Sequence, residues 1–97
     1  MSERAGGGAC VATLEIQNRL GLHARAAAML VQTVAKFDAE ITVTKDDQTV
    51  NGKSIIGLMM LAAGQGSCIE ISATGADAQA AVDAITALVA ERFKEDS

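Results

Sequence analysis

Hydrophobic and polar residues alternate in four short stretches of the chain, and this alternation is typical of half-buried strands. The stretches are residues 11–17, 40–45, 48–51 and 67–73. Asp46-Asp47 separates the second stretch from the third, so these two are expected to form a hairpin. In the first stretch, Ala12, Leu14 and Ile16 share the face that we expect to be buried.

Three other stretches carry their hydrophobic residues at helical spacing. We predict helices at residues 24–37, 54–61 and 77–93, with Ser54 at or near the N-cap of the second. The resulting order is βαββαβα. Short strands with helices between them favour an α+β fold. We therefore predict a two-layer, open-faced β-sandwich in which three helices cover one face of a four-stranded antiparallel sheet.

The length of 97 residues, of which 49% are hydrophobic, is enough for one small domain. Three consecutive glycines in residues 1–10 predict a flexible tail, which leaves residues 11–97 as the folded domain. Phe37 and Phe93 are the only aromatic residues, so the core must be mainly aliphatic.

The composition also argues against several classes of function. A net charge of −4, scattered basic residues and few aromatic rings argue against nucleic-acid binding. Cys10 and Cys68 lack the spacing of a zinc site, so we expect no metal. The apolar stretch at residues 55–63 is too short to span a membrane, and no signal peptide is visible. We expect a cytoplasmic monomer.

His23 is the only histidine and lies in the run Gly21-Leu22-His23-Ala24-Arg25, where a loop leads into the first predicted helix. Imidazole can act as a nucleophile near neutral pH. A helix start offers unpaired N–H groups and partial positive charge, which suit phosphate. Our hypothesis is that His23 carries a phosphoryl group, with Arg25 and the backbone N–H groups of Ala24, Arg25 and Ala26 as its binding partners.

Three alternatives stay open at this point. His23 can be a structural capping residue with no chemistry of its own. The domain can be a small regulatory module that binds an anionic metabolite without covalent transfer. A hydrolase with His23 as its base is the weakest alternative, because no carboxylate or nucleophile lies beside His23 in the sequence.

Two motifs resemble those of a known family. Gly21-Leu22-His23-Ala24-Arg25 closely resembles the active-site signature of the histidine-containing phosphocarrier proteins, HPr, of the phosphoenolpyruvate-dependent phosphotransferase system. Residues 51–61 resemble the family's second signature, which surrounds a regulatory serine. The separation of the motifs and the βαββαβα order also agree with the family, over residues 11–94.

The resemblance implies a mechanism and partners. His23 would accept a phosphoryl group on Nδ1 from phosphorylated enzyme I and pass it to a histidine of a IIA-type protein, while Arg25 pairs with the phosphate. Ser54 would be the residue that an HPr kinase/phosphorylase modifies. Such a carrier has no independent turnover and needs no cofactor. Sugar uptake and a regulatory relay of the nitrogen type both stay open.

One residue departs from the family pattern, since Ala26 stands where the family usually has proline. Ser54 can also be a helix cap and nothing more. We expect the partner surface to share one side of the molecule with His23 and Ser54, with Ile55 and Met59 partly exposed, because methionine adapts to more than one partner. Its predicted members are Ala28, Met29, Gln32, Ile55 and Met59.

Overall fold

The computed structural model describes residues 9–95 and contains the predicted βαββαβα order. The strands and helices are β1 (Cys10–Glu15), α1 (Ala24–Val34), β2 (Glu40–Lys45), β3 (Gln48–Asn51), α2 (Ile55–Met60), β4 (Cys68–Thr74) and α3 (Ala78–Ala90). A 3₁₀ turn follows α3 at Arg92–Lys94. None of the helices within residues 9–95 has the length and apolar character that crossing a membrane requires.

The four strands form one antiparallel sheet in the order β1-β4-β2-β3. Alternation within each strand sends one set of side chains into the core, as Ile41 and Val43 of β2 and Ile69 and Ile71 of β4 show. The helices pack on this buried face, and the polar set between the buried residues is exposed. The predicted two-layer α+β fold is confirmed.

Helices α1 and α3 end clearly before the predicted residues 37 and 93, whereas α2 ends within one residue of its predicted end. After Val34 the chain tightens into a turn in which Phe37 N–H donates to the carbonyl of Val34, so α1 does not reach Phe37. The last helix ends at Ala90, because Arg92, Phe93 and Lys94 have φ values of 57°, 52° and 59°, in the left-handed region. Left-handed backbone costs roughly 1–2 kcal/mol per residue without glycine. The free energy gained by burying the Phe93 ring completely offsets part of that cost.

The predicted flexible tail falls mostly on residues 1–8, which lie outside the described residues. Its boundary at residue 10 is wrong, because Cys10 begins β1 and pairs with Ala73 of β4. The backbone ladder with β4 extends one residue beyond the alternating side chains from which the strand was predicted.

The loop between β1 and α1 is fastened to the turn that follows α2. Leu22 N–H donates to the carbonyl of Ala63 at 2.9 Å, and Ile16 N–H donates to Ser67 at 2.8 Å. Gly21 has a φ of +68°, and a Cβ there would lie 2.5 Å from the Ala63 oxygen. Only glycine fits this conformation and this close approach. The loop therefore delivers the chain to His23 in a fixed direction.

Candidate functional site

His23 caps the N-terminus of α1 with its own side chain. Its backbone is extended (φ −79°, ψ −176°), and its Nδ1 accepts a hydrogen bond from Arg25 N–H at 3.3 Å. An N-cap side chain usually offers an oxygen to these amides, and here an imidazole nitrogen takes that part. Because Nδ1 accepts, it carries a lone pair and no proton. This lone pair faces the positive end of the helix.

The first turn of α1 keeps backbone donors available at the same place. Ala27 N–H donates to the carbonyl of His23 at 2.8 Å and so begins the helical ladder. The N–H groups of Ala24, Arg25 and Ala26 precede this first bond and find no backbone acceptor within residues 9–95. Such orphan donors, together with the helix dipole, favour an anion. Arg25 N–H donates to His23 Nδ1, so the three predicted donors and this ring nitrogen all belong to the same helix start.

The Arg25 guanidinium is exposed and rests on the C-terminal segment. Its Nη2 donates to the carbonyl of Lys94 at 3.4 Å. This distance is long for an N–H···O bond, so the contact is weak. An incoming phosphate, which binds a guanidinium through charge-assisted hydrogen bonds, can displace the carbonyl.

Asn18, His23 and Glu95 form a polar cluster on the other side of the imidazole. Asn18 is 1% exposed and donates from Nδ2 to the Gly21 carbonyl at 2.8 Å. Glu95 Oε1 accepts from Leu20 N–H at 3.4 Å. Three atoms of this cluster are buried and have no hydrogen-bond partner within residues 9–95: Asn18 Oδ1, His23 Nε2 and Glu95 Oε2.

The charge environment keeps the Glu95 carboxyl ionised. Burial by itself would raise its pKa, but hydrogen bonding from the Asn18 side chain and from Leu20 N–H, together with the electrostatic influence of His23 and Arg19, outweighs burial and lowers the pKa below its ordinary value. The sequence interpretation found neither Asn18 nor Glu95. Residues 18–21 were interpreted as an ordinary loop, and no carboxylate lies beside His23 in the sequence. The fold brings the Glu95 carboxylate to this loop, where it contacts Leu20, a residue 75 positions away in the chain.

Ser54 is the N-cap of α2, as predicted, and its Oγ accepts from Gly57 N–H at 3.0 Å. Helices α1 and α2 pack against each other. The bond from Leu22 to Ala63, however, fastens the His23 loop to the chain just after α2, at the end opposite Ser54. With a rise of 1.5 Å per residue, the six-residue helix α2 is about 9 Å long. This length separates the start of α2, where Ser54 lies, from the end of α2, where the His23 loop is attached.

Exposed apolar side chains cluster on α2. Ile55 and Met59 are 40% and 43% exposed, in agreement with the expectation that both are partly exposed. Ile56, Met60 and Leu20 are exposed still further, and the sequence interpretation did not single them out. The other predicted members of the partner surface lie on α1, where Ala28 and Met29 are half-buried and Gln32 is exposed. Among residues 9–95, no group of His, Cys, Asp or Glu side chains is placed to hold a metal ion.

The chain is similar to known proteins over almost its whole length. The family model for the PTS HPr component phosphorylation site matches residues 11–91. The phosphocarrier protein HPr of Neisseria meningitidis is 52% identical over 83 residues, which cover 86% of this chain and 93% of that protein. The phosphocarrier protein NPr of Shewanella violacea is 48% identical over 82 residues, covering 84% of this chain and 90% of the relative.

The fold agrees with a solved structure of this kind. The crystal structure of HPr-C-His from Thermoanaerobacter tengcongensis superposes with a TM-score of 0.86 at 44% sequence identity, covering 91% of this chain and 99% of the other. Sequence motifs, sheet topology and overall similarity therefore agree. The chain belongs to the HPr family of phosphocarrier proteins of the phosphotransferase system.

Proposed function

We propose that this chain accepts a phosphoryl group on Nδ1 of His23 from phosphorylated enzyme I and delivers it to a histidine of a IIA-type protein. One observation carries the proposal: Nδ1 is the ring nitrogen whose lone pair faces the start of α1. A phosphoryl group bonded there would lie at the start of α1, whose first N–H groups have no backbone acceptor within residues 9–95.

The geometry supports the following transfer. The Nδ1 lone pair attacks phosphorus, the bond from phosphorus to the donor's histidine nitrogen breaks, and its electron pair stays on that donor. Phosphoryl transfer depends mainly on positioning and on neutralising charge. The helix start contributes only about 0.3–1 kcal/mol when exposed. Moderate binding suits a group that must leave again, and Arg25 adds directional hydrogen bonds once it releases Lys94.

The decisive experiment is to incubate the protein with enzyme I and phosphoenolpyruvate and to map the added mass. We expect one phosphoryl group on His23, labile in acid and stable in base, with ³¹P–¹⁵N coupling to Nδ1. His23→Ala is the control, and it should keep its fold because the His23 side chain is only half-buried at the helix end. Phosphorylation of the His23→Ala protein by enzyme I would overturn the proposal. Binding of inorganic phosphate without a mass increase would instead favour an anion-binding regulatory domain.

We further propose that phosphorylation of Ser54 by an HPr kinase/phosphorylase modulates this transfer. The support is its position at the start of α2, where the helix dipole tolerates negative charge, and the exposed Ile55 beside it. A phosphate there adds a charge of about −1.5 to −2 next to an apolar docking surface. Incubation with the kinase and ATP, followed by peptide mapping, tests for the modification.

The choice between sugar uptake and a nitrogen-type relay depends on the acceptor. Rates of transfer from the phosphorylated protein to IIA proteins of each class would assign it, with the faster acceptor identifying the branch. We propose that the monomer is the working form, in the cytoplasm. Sedimentation at micromolar concentration checks the oligomeric state, and a dimer at that concentration would contradict it.

A further inference from the structure

The buried side of the His23 ring carries a hydrogen-bond donor that has no acceptor within residues 9–95. Because Nδ1 accepts from Arg25 N–H, the neutral ring holds its proton on Nε2. Nε2 is buried and has no hydrogen-bond partner within residues 9–95. An unpaired buried donor is unfavourable, and native proteins rarely keep one without a reason.

A matching acceptor lies in the same cluster. Oε2 of Glu95 is also buried and has no partner within hydrogen-bond distance in residues 9–95, while Oε1 receives only a long contact of 3.4 Å from Leu20 N–H and the Asn18 side chain lies close enough to lower the pKa of the carboxyl. His23 is near enough to contribute to the electrostatics of the carboxylate. A carboxylate accepts strongly from an imidazole N–H, so the two orphan atoms are chemically matched as acceptor and donor.

The C-terminal segment is shaped to bring Glu95 to this point. Phe93 is completely buried and anchors the segment, and three successive left-handed residues turn the chain back toward α1. Lys94 then receives the Arg25 guanidinium on its carbonyl. Among the described residues, the basic groups that act on the carboxylate are His23 and Arg19. The cluster therefore stabilises the negative charge of Glu95.

We propose that Glu95 is a positioning residue that accepts a hydrogen bond from His23 Nε2–H and keeps that proton on the ring while the phosphoryl group arrives at and leaves Nδ1. The inference rests on the function proposed above. When the phosphoryl group leaves, the N–P electron pair returns to Nδ1 and the proton stays on Nε2. The ring therefore departs as neutral imidazole, a far better leaving group than imidazolate. Glu95 lies on the Nε2 side and leaves the phosphate position free.

The first test needs no phosphorylation. In ¹⁵N-histidine-labelled protein we expect the His23 Hε2 resonance to be sharp and shifted downfield. It should broaden by exchange with water in Glu95→Ala and move upfield in Glu95→Gln, which keeps an acceptor without the charge. Glu91→Gln is the matched control, because Glu91 is an exposed carboxylate on the same segment. An Hε2 resonance that is the same in all four proteins would overturn the proposal.

The second test uses protein phosphorylated with enzyme I and follows loss of the phosphoryl group by ³¹P NMR between pH 5 and 9. Glu95→Ala removes the acceptor that keeps the proton on Nε2, so we expect it to lose the phosphoryl group roughly three- to tenfold more slowly than wild type at the upper end of this pH range. Profiles that coincide with wild type and Glu91→Gln would refute the role. An Hε2 response without any phosphoryl group on His23 would refute the proposed function and leave the hydrogen bond standing.

Discussion

Replacing Gly21 by alanine tests how the loop before α1 holds His23 in place. The left-handed φ of +68° costs a non-glycine residue about 1–2 kcal/mol. The new Cβ would lie 2.5 Å from the Ala63 oxygen, which is backbone and cannot rotate away. The loop must therefore shift and weaken the bond from Leu22 to Ala63, which contributes about 0.5–1.5 kcal/mol. We expect the free energy of unfolding to fall by about 2–3 kcal/mol.

Two other glycines separate the cost of the left-handed backbone from the cost of the clash with Ala63. Gly66 has a φ of +90° but open space around its Cβ position, so Gly66→Ala measures the cost of the backbone conformation alone. Gly64 has neither a left-handed φ nor any atom within 4 Å of its Cβ position, so Gly64→Ala should be close to neutral. Thermal unfolding followed by circular dichroism ranks the variants. For a domain of this size, 2–3 kcal/mol lowers Tm by roughly 10–20 °C.

The same variants report on function. At a temperature where all of them are folded, Gly21→Ala should accept the phosphoryl group from enzyme I on the order of tenfold more slowly, because small displacements at a reacting centre are costly. Gly66→Ala, destabilised without a clash against Ala63, should lose less. If Gly21→Ala melts no lower than Gly66→Ala, the close approach to Ala63 contributes nothing to stability and does not hold the loop in place.

Four further results are expected. Arg25→Ala should fold normally but transfer more slowly in both directions, and unchanged rates with enzyme I and with a IIA protein would make Arg25 a bystander. Ala26→Pro should raise stability by about 0.4–1 kcal/mol, since the Ala26 N–H has no backbone acceptor within residues 9–95; a lower Tm in calorimetry would contradict this. Ser54→Ala should lose roughly 1 kcal/mol of stability, because the helix cap is lost, and should keep its transfer rate. Ser54→Asp should keep the cap but be phosphorylated more slowly by enzyme I. Equal rates for Ser54→Asp and Ser54→Asn would show that Ser54 is not part of the functional surface. The folded protein lowers the pKa of Glu95, so the ionised carboxylate stabilises the fold. Wild type should therefore have a larger free energy of unfolding than Glu95→Gln at pH values above 4.5, the ordinary pKa of the carboxyl group, and should lose this advantage as the pH falls below that value. Urea melts at several pH values would show the difference.

The sequence predicts those parts of the fold that depend on short-range patterns. Alternation identifies the strands because one face of the sheet is exposed, and the spacing of Ala27, Leu30 and Val34 identifies α1. Ser54 at the start of α2 follows from the capping preference of serine, and the structure agrees. These features are decided within a few residues, and so they are visible in the sequence.

Contacts between distant residues are not visible in the same way. Phe93 fits the helical stripe of α3 by spacing, yet it is buried from a left-handed turn after that helix has ended. Glu95 reaches the His23 cluster only because of this turn, and its bond with Leu20 joins residues 75 positions apart. Asn18 reads as a loop residue, although it is almost completely buried. No local rule of spacing or propensity contains this information.

The position of β4 in the middle of the sheet also governs when the molecule can assemble. β2 and β3 pair locally as a hairpin, but in the described part of the chain β1 pairs only with β4, which is made much later during synthesis. Contacts between distant parts of a chain form slowly, because a long loop must close first. The bonds that fasten the His23 loop, from Ile16 to Ser67 and from Leu22 to Ala63, belong to this same late step. On the ribosome, the emerging chain would therefore lack a fixed His23 loop until β4 docks, and a molecule able to take up a phosphoryl group would be one whose sheet is already complete.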